Sequence, residues 1–174
     1  MLSAAEYSAI EVLRNGRQID VRALRSDDRA GLLDAVERTS AESLYRRFFG
    51  AKRDFSQKEI EFFLNIDFVN HVALVATARE DGRAVIVGGG RYIIVRPGAA
   101  EVAFAVVDEY QGQGIGGALM RHLIAIARDA GLEELVAEVL PDNMPMRKVF
   151  EKSGLRCNMK REGLVVHVAL RLSN

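Results

Sequence analysis

Between residues 106 and 119 the chain reads Val-Val-Asp-Glu-Tyr-Gln-Gly-Gln-Gly-Ile-Gly-Gly-Ala-Leu. An apolar run enters a turn that holds Gly112, Gly114, Gly116 and Gly117, and a helical pattern starts at once. Glycine lets a backbone approach a ligand closely, because no Cβ holds it off and a positive φ costs little. A helix start adds unpaired N–H groups and the positive end of the helix dipole, both aimed at one point. That combination suits a pyrophosphate. A second residue with chemical potential is Glu101, at the head of Glu-Val-Ala-Phe-Ala-Val-Val, the run that delivers the turn. Its neighbours are apolar, and burial among them would raise its pKa and make it a better base near neutral pH.

Two better-known phosphate loops fit poorly. No Lys-Ser/Thr pair follows the glycines, as the NTPase loop requires. Gly112-x-Gly114-x-x-Gly117 matches the dinucleotide spacing formally, but no acidic residue ends a second parallel strand about 20 residues on. Glu133, Glu134 and Glu138 instead lie before or within the next apolar run. His71, His122 and His167 show no ligand spacing, and the single Cys157 excludes an internal disulfide and a cysteine-based zinc site, so no metal is expected. The histidines read as scaffold or surface. Cys157 has no obvious base beside it, which disfavours a covalent enzyme intermediate. Arg46 and Arg47, beside Tyr45, could face an acidic or phosphate group; an arginine pair on a helix is more often a solvated face, and no catalytic role is given to them.

The elements that must position these groups follow from periodicity. Leu2, Ala5, Ala9, Val12 and Leu13 recur near helical spacing and Asn15-Gly16 stops them, which predicts a helix over 2–14 within an N-terminal extension, 1–17, ahead of a domain spanning 18–174. Residues 18–24 alternate as a strand. Helix caps stand at Ser26-Asp27-Asp28, at Thr39-Ser40-Ala41-Glu42 before a run reaching Phe49, and at Ser56-Gln57-Lys58-Glu59. Residues 71–78 and 84–95 read as a hairpin around Asp81-Gly82. The strand at 101–107 precedes the glycine turn. A helix over 115–130 places Leu119, Leu123, Ile126 and Ala127 on one face. Residues 135–140 form a strand ended by Pro141, Asp142 or Asn143 caps a last helix, and 164–170 is a final alternating strand. The order β-α-α-α-β-β-β-α-β-α-β-β departs from a regular βαβ repeat and predicts an α/β (α+β) domain with a mixed sheet.

A chain of 174 residues fits one compact domain. Its 24 basic and 24 acidic residues cancel, so net charge does not point to nucleic acid or a membrane surface as a partner. Near-zero charge favours self-association, and a homodimer is considered. One cysteine agrees with a cytoplasmic setting. The first residues lack a basic start followed by an apolar run, so a secretory signal is not expected.

Gln111-x-x-Gly114-x-Gly116 resembles the acyl-CoA loop of the GNAT superfamily of N-acetyltransferases. Asn143-x-x-Met146-Arg147-x-x-Phe150-Glu151-x-x-Gly154-Leu155 resembles that superfamily's downstream segment. The stretch 41–49, with 100–104 and 142–147, further resembles the bacterial Pat-type protein lysine acetyltransferases. The resemblance implies a GNAT fold, with a mostly antiparallel sheet of about seven strands, flanked by helices and splayed at the acyl-CoA site. It implies acetyl-CoA as acyl donor, with the pyrophosphate on the loop formed by Gln111, Gly112, Gln113, Gly114, Ile115, Gly116 and Gly117. It also places the pantetheine arm against the main chain of Ala105, Val106 and Val107, with Asn143 and Arg147 on the cofactor side. Glu101 matches the general base of the lysine-acetylating branches. Many relatives use a tyrosine to protonate the leaving thiolate; Phe150 stands at that position and cannot. The expected reaction is direct attack by a primary amine, a protein lysine in the first instance. Alternatives are a small-molecule amine acceptor, or a non-catalytic acyl-CoA-binding module.

Overall fold

The computed structural model describes residues 3–48 and 56–172, and leaves out the side chains of Tyr45, Arg46 and Phe48. Leu2 of the expected N-terminal helix and Phe49 lie outside the described residues. Eight strands form one sheet: β1 (Ser8–Val12), β2 (Gln18–Ala23), β3 (His71–Glu80), β4 (Arg83–Arg96), β5 (Ala99–Val106), β6 (Glu134–Val139), β7 (Arg156–Glu162) and β8 (Val165–Arg171). They lie in the order β1-β2-β3-β4-β5-β6-β8-β7. Every neighbouring pair is antiparallel except β5 and β6. A parallel pair needs a crossover, and α4 (Ile115–Asp129) supplies it.

The sheet carries a core on each face. On one side α4 buries Ile115, Leu119, Leu123 and Ile126, one apolar stripe at helical spacing, against the main core of the sheet. Full burial of each such side chain contributes about 1.5–3 kcal/mol. Here α5 (Met144–Glu151) seats Phe150 edge-on to Phe104 of β5, with ring centroids 6.3 Å apart. On the other side lie α1 (Arg29–Glu37), α2 (Ala41–Phe48) and α3 (Gln57–Leu64). Leu24, Ala73, Val75 and Ile86 form a smaller core there, packed against Leu32, Ala35, Leu64 and Ile66. The expected capping box of α3 is present, Ser56 Oγ accepting from Glu59 N and Glu59 Oε1 from Ser56 N, both at 3.1 Å.

One expectation is overturned. In place of a helix over 2–14 there is a short 3-10 turn at Ala4–Glu6 followed by β1, which pairs with β2 through the Asn15-Gly16 turn and adds an eighth strand. Ile10 and Val12 favour a strand by their branching, yet both point outward and are 66% exposed. The inward positions are Ala9 and Glu11. Glu11 Oε1 meets His122 Nε2 of α4 at 2.7 Å, and Tyr7 bonds the other ring nitrogen of His122. The register of this strand is therefore fixed by a polar contact and the hairpin, which apolar periodicity alone could not reveal.

Gly90 marks where β4 and β5 meet α4 most tightly. A Cβ built there would lie 2.7 Å from Phe104 Cδ1 and 3.2 Å from Leu123 Cδ1. Gly90→Val is expected to lower stability by about 1–3 kcal/mol through overpacking. Urea unfolding of the variant beside the parent chain measures this.

Candidate active site

Strands β5 and β6 pair over only three residues: Ala99 with Glu134, Ala100 with Leu135, and Glu101 with Val136. Past that point both continue, to Val106 and Val139, without pairing to each other, so the sheet opens into a gap whose apex is Glu101. Val107 N donates to Val87 O of β4 at 2.9 Å. Antiparallel alternation then turns the main-chain groups of Ala105 towards β4 as well, and those of Val106 and Phe104 towards the gap. Among Ala105, Val106 and Val107 the register turns the main chain of Val106 to the gap, and it turns Phe104 there as well.

At the wide end of the gap stands the glycine turn. Gly112 and Gly114 have φ of +77° and +96°, and a Cβ on either would meet nothing within 4 Å, so the turn is both left-handed and open. The first helical bond of α4 in this turn runs from Ala118 N to Gly114 O, which leaves the N–H groups of Ile115, Gly116 and Gly117 ahead of the ladder. Ile115 is itself buried and anchors the helix start. Gln111 braces the turn: its Nε2 donates to Val106 O at 2.9 Å and to Ser43 Oγ of α2 at 3.1 Å. Gln113 Nε2 donates to Glu109 O at 3.2 Å, while its Oε1 accepts from Asn15 Nδ2 at 3.1 Å. Asp108 Oδ1 accepts from Ser40 N at 2.9 Å. The turn is thus tied to α2 and to Ser40 just before it.

Glu101 projects from the same face of the sheet as Ile93 and His71, its partners in register across β4 and β3. It is exposed, so the burial that the sequence reading invoked is absent; Ala100 and Val102, the apolar neighbours, point to the other face. Arg47 of α2 lies close enough to be stabilised by the Glu101 charge, although burial pulls its pKa down to about 10. Arg91 of β4 is pulled down to about 9 by burial and by Arg47. Arg91 Nη1 donates to His71 Nε2 at 2.9 Å and to Phe63 O at 3.3 Å, with the guanidinium 4.8 Å from the Phe63 ring centroid. A guanidinium only donates, so His71 Nε2 accepts and the ring is neutral, its proton on Nδ1. Burial and the Arg91 charge lower the His71 pKa to about 4.

Beside these groups, between β3–β5 and α1–α3, is a cavity of about 140 Å³. Its floor is made of small residues, Ala73, Gly89, Ala103 and Ala105, and its roof includes Leu32, Val36, Leu44, Ile60 and Leu64. Arg47 and Arg91 both line it. Neither Arg91 nor His71 was singled out for a role from the sequence, and Arg47 was given none. The signal for Arg91 was a lone cation directly after Gly88-Gly89-Gly90 within an apolar strand.

The downstream residues sit differently. Asn143 Oδ1 caps α5 by accepting from Met146 N at 3.3 Å. Arg147 Nη1 donates to Pro141 O at 3.2 Å, and its Nε is buried without a hydrogen-bond partner among the described residues. Phe150 is part of the main core. Among the described residues no group of three or more His, Cys, Asp or Glu side chains is placed to hold a metal ion, and no helix is long and apolar enough to cross a membrane.

Comparison with known proteins places this geometry. The family described as Acetyltransferase (GNAT) matches residues 37–155. An acetyltransferase of Pseudomonas aeruginosa is 34% identical over 139 residues, covering 79% of this chain and 75% of that protein. The crystal structure of the GNAT domain of S. lividans PAT superposes with a TM-score of 0.85 at 36% identity, over 94% of this chain and 96% of that one. A cAMP-binding acyltransferase from Mycobacterium smegmatis is 31% identical with a TM-score of 0.67; the alignment covers 99% of this chain, which spans 49% of that protein.

Two outcomes follow from the site's geometry. Gly114→Val puts a branched side chain at a left-handed position in the open turn, and is expected to weaken coenzyme A binding by roughly tenfold or more while α4 remains folded; calorimetric titration with a circular-dichroism control measures both. The second concerns acid. The unfolded chain binds a proton at His71 with ordinary histidine affinity, near pH 6.5, and the folded chain only near pH 4. Protons therefore favour unfolding between these values, so this contribution to stability is full above pH 6.5 and falls as the pH drops towards 4. His71→Asn is expected to flatten that part of the stability profile, as read by urea unfolding at successive pH values.

Proposed function

Because the chain belongs to the acetyltransferase (GNAT) family and is an acyltransferase, we propose that it transfers an acetyl group from acetyl-CoA to a primary amine by direct attack, with a protein lysine side chain as acceptor. One observation carries the reading: the β5–β6 gap opens at Glu101 and ends at the glycine turn, so a single extended ligand can lie between a carboxylate and an anion-binding helix start.

Acetyl-CoA supplies an activated acyl group as a thioester. The protein's part is to hold it and to prepare the amine. The N–H groups from Gln113 to Gly117 would take the pyrophosphate, since the turn leaves room for close approach. The Val106 N–H and the main chain of Phe104 would bond the pantetheine arm as a strand would, the Val106 carbonyl being held by Gln111. Asn143 and Arg147 would lie on the cofactor side, where the buried Arg147 Nε has no hydrogen-bond partner among the described residues. An alkylammonium has a pKa of about 10.4 and cannot attack until it loses a proton. Glu101, exposed at the apex of the gap, would accept that proton directly or through water. Phe150 has no proton to give, so the thiolate leaves unprotonated or is protonated from water.

The likeness to Pat-type proteins supports a lysine acceptor, and the cytoplasmic setting expected from the sequence belongs to the same proposal. A small-molecule amine is the second reading, favoured by one observation: the cavity of about 140 Å³ that Arg47 and Arg91 line has the volume of a small ligand.

Glu101→Gln keeps the shape and removes the base. Turnover on a lysine-bearing peptide is expected to fall about 10²- to 10⁴-fold, with acetyl-CoA affinity retained. Unchanged turnover would remove Glu101 from the mechanism.

A further inference from the structure

The cavity between the sheet and α1–α3 is apolar apart from Thr39 and three arginines, and none of the described residues that line it is acidic. The Thr39 hydroxyl donates to Ala35 O at 2.7 Å, and Arg29 Nη2 to Gln57 Oε1 at 2.8 Å. Arg47 of α2 and Arg91 of β4 line the same cavity from different elements. They are near enough for the charge of one to disfavour the charge of the other, and Arg47 is also near Glu101. Arg91 is held by three contacts, to His71, to Phe63 O and to the Phe63 ring. Its hydrogen bonds among the described residues all leave from Nη1, so Nη2 and Nε remain available as donors. Two like charges at the wall of an apolar cavity repel strongly, because little water screens them. A carboxylate between them would replace that repulsion with two attractions, and a guanidinium fork matches its geometry.

We propose that Arg47 and Arg91 form a carboxylate subsite: the acceptor carries a carboxylate close to its amine, held by the two guanidinium groups while the amine lies towards Glu101. Glu101 and Arg91 lie on one face of adjacent strands, Glu101 opposite Ile93 and Arg91 opposite Ala103, and this diagonal placement sets the short spacing between the two groups of the acceptor. Leu32, Val36, Ile60 and Leu64 receive the acceptor's hydrocarbon part. The carboxylate has two possible sources, the free acid of a small amino-acid-like amine or an acidic side chain beside a target lysine. The position of the amine rests on the acyl-transfer reading; the anion site does not.

Matched acceptors test this with acetyl-CoA present: leucine against leucinamide, and a lysine peptide with a glutamate next to the lysine against the same peptide with glutamine. The carboxylate member of at least one pair is expected to have a kcat/KM about tenfold higher or more, expressed mainly in KM. Preference in the leucine pair identifies a small acceptor, and preference in the peptide pair identifies an acidic neighbour of the lysine. In Arg91→Met the preference should collapse with acetyl-CoA affinity retained, and Arg91→Lys should restore part of it; should Arg91→Met fail to fold, Arg47→Met carries the same expectation. Equal kcat/KM within both pairs, or a preference that survives these variants, overturns the subsite. If no acceptor turns over, calorimetric titration of the chain alone with isovalerate and isovaleramide decides. Binding of the carboxylate alone, lost in Arg91→Met, upholds the subsite while acyl transfer falls; binding of neither, or of both alike, overturns it.

Discussion

The structure turns on the place where two parallel strands stop holding hands. β5 and β6 are bonded through Glu101 and Val136 and no further. On the inner edge of β5 beyond that point the Val106 carbonyl accepts from Gln111 Nε2, while the Val106 N–H and the main-chain groups of Phe104 face the gap, and backbone polar groups away from a partner demand one. The other edges of both strands are committed, β5 to β4 and β6 to β8, so the gap cannot close by exchanging partners. A ligand with strand-like polar groups is the natural occupant. The edge-on contact of Phe150 with Phe104, and the burial of Ile115 under the glycine turn, fix the surroundings of the opening on the α4 side.

Charge is distributed along the gap in a definite order. At the wide end are N–H groups and the positive end of α4. At the apex is the Glu101 carboxylate, and beside it the cations Arg47 and Arg91 at the wall of an apolar cavity. The two ends are mechanically joined: Gln111 reaches Ser43, and Asp108 reaches Ser40, so the turn and α2 share bonds. Arg47 is on that same helix. A change in the turn is therefore felt by the helix that carries one wall of the cavity, and the reverse.

What could be read from the sequence was what local chemistry determines. The turn at 111–117 is legible because glycine content, an apolar run before it and a helix after it all act within a few residues, and the structure places open left-handed glycines there. The caps at Ser56 and Asn143 are legible for the same reason. What failed depended on contacts between distant residues. Glu101 has apolar neighbours in sequence, but strand alternation sends them to the opposite face and leaves the carboxylate exposed. Which of Ala105, Val106 and Val107 turns its main chain to the gap depends on register with Val87, 20 residues away. The N-terminal segment reads as helical because Ala5, Ala9, Val12 and Leu13 recur near helical spacing, whereas in the strand Val12 points outward and Glu11 faces in, held by His122 from α4. Arg47 and Arg91 come from different elements, and only the packing of α2 over β4 and β5 makes them a pair.

The claim most open to direct attack is that this gap carries acyl transfer to an amine. Free thiol released from acetyl-CoA, followed with a panel of lysine-bearing proteins and peptides, a panel of small amines and an acceptor-free control, tests it. The account predicts thiol release that requires an amine acceptor and yields one acetylated amine for each thiol. Thiol release that ignores the acceptor, or no release across both panels while acetyl-CoA is bound, would contradict it.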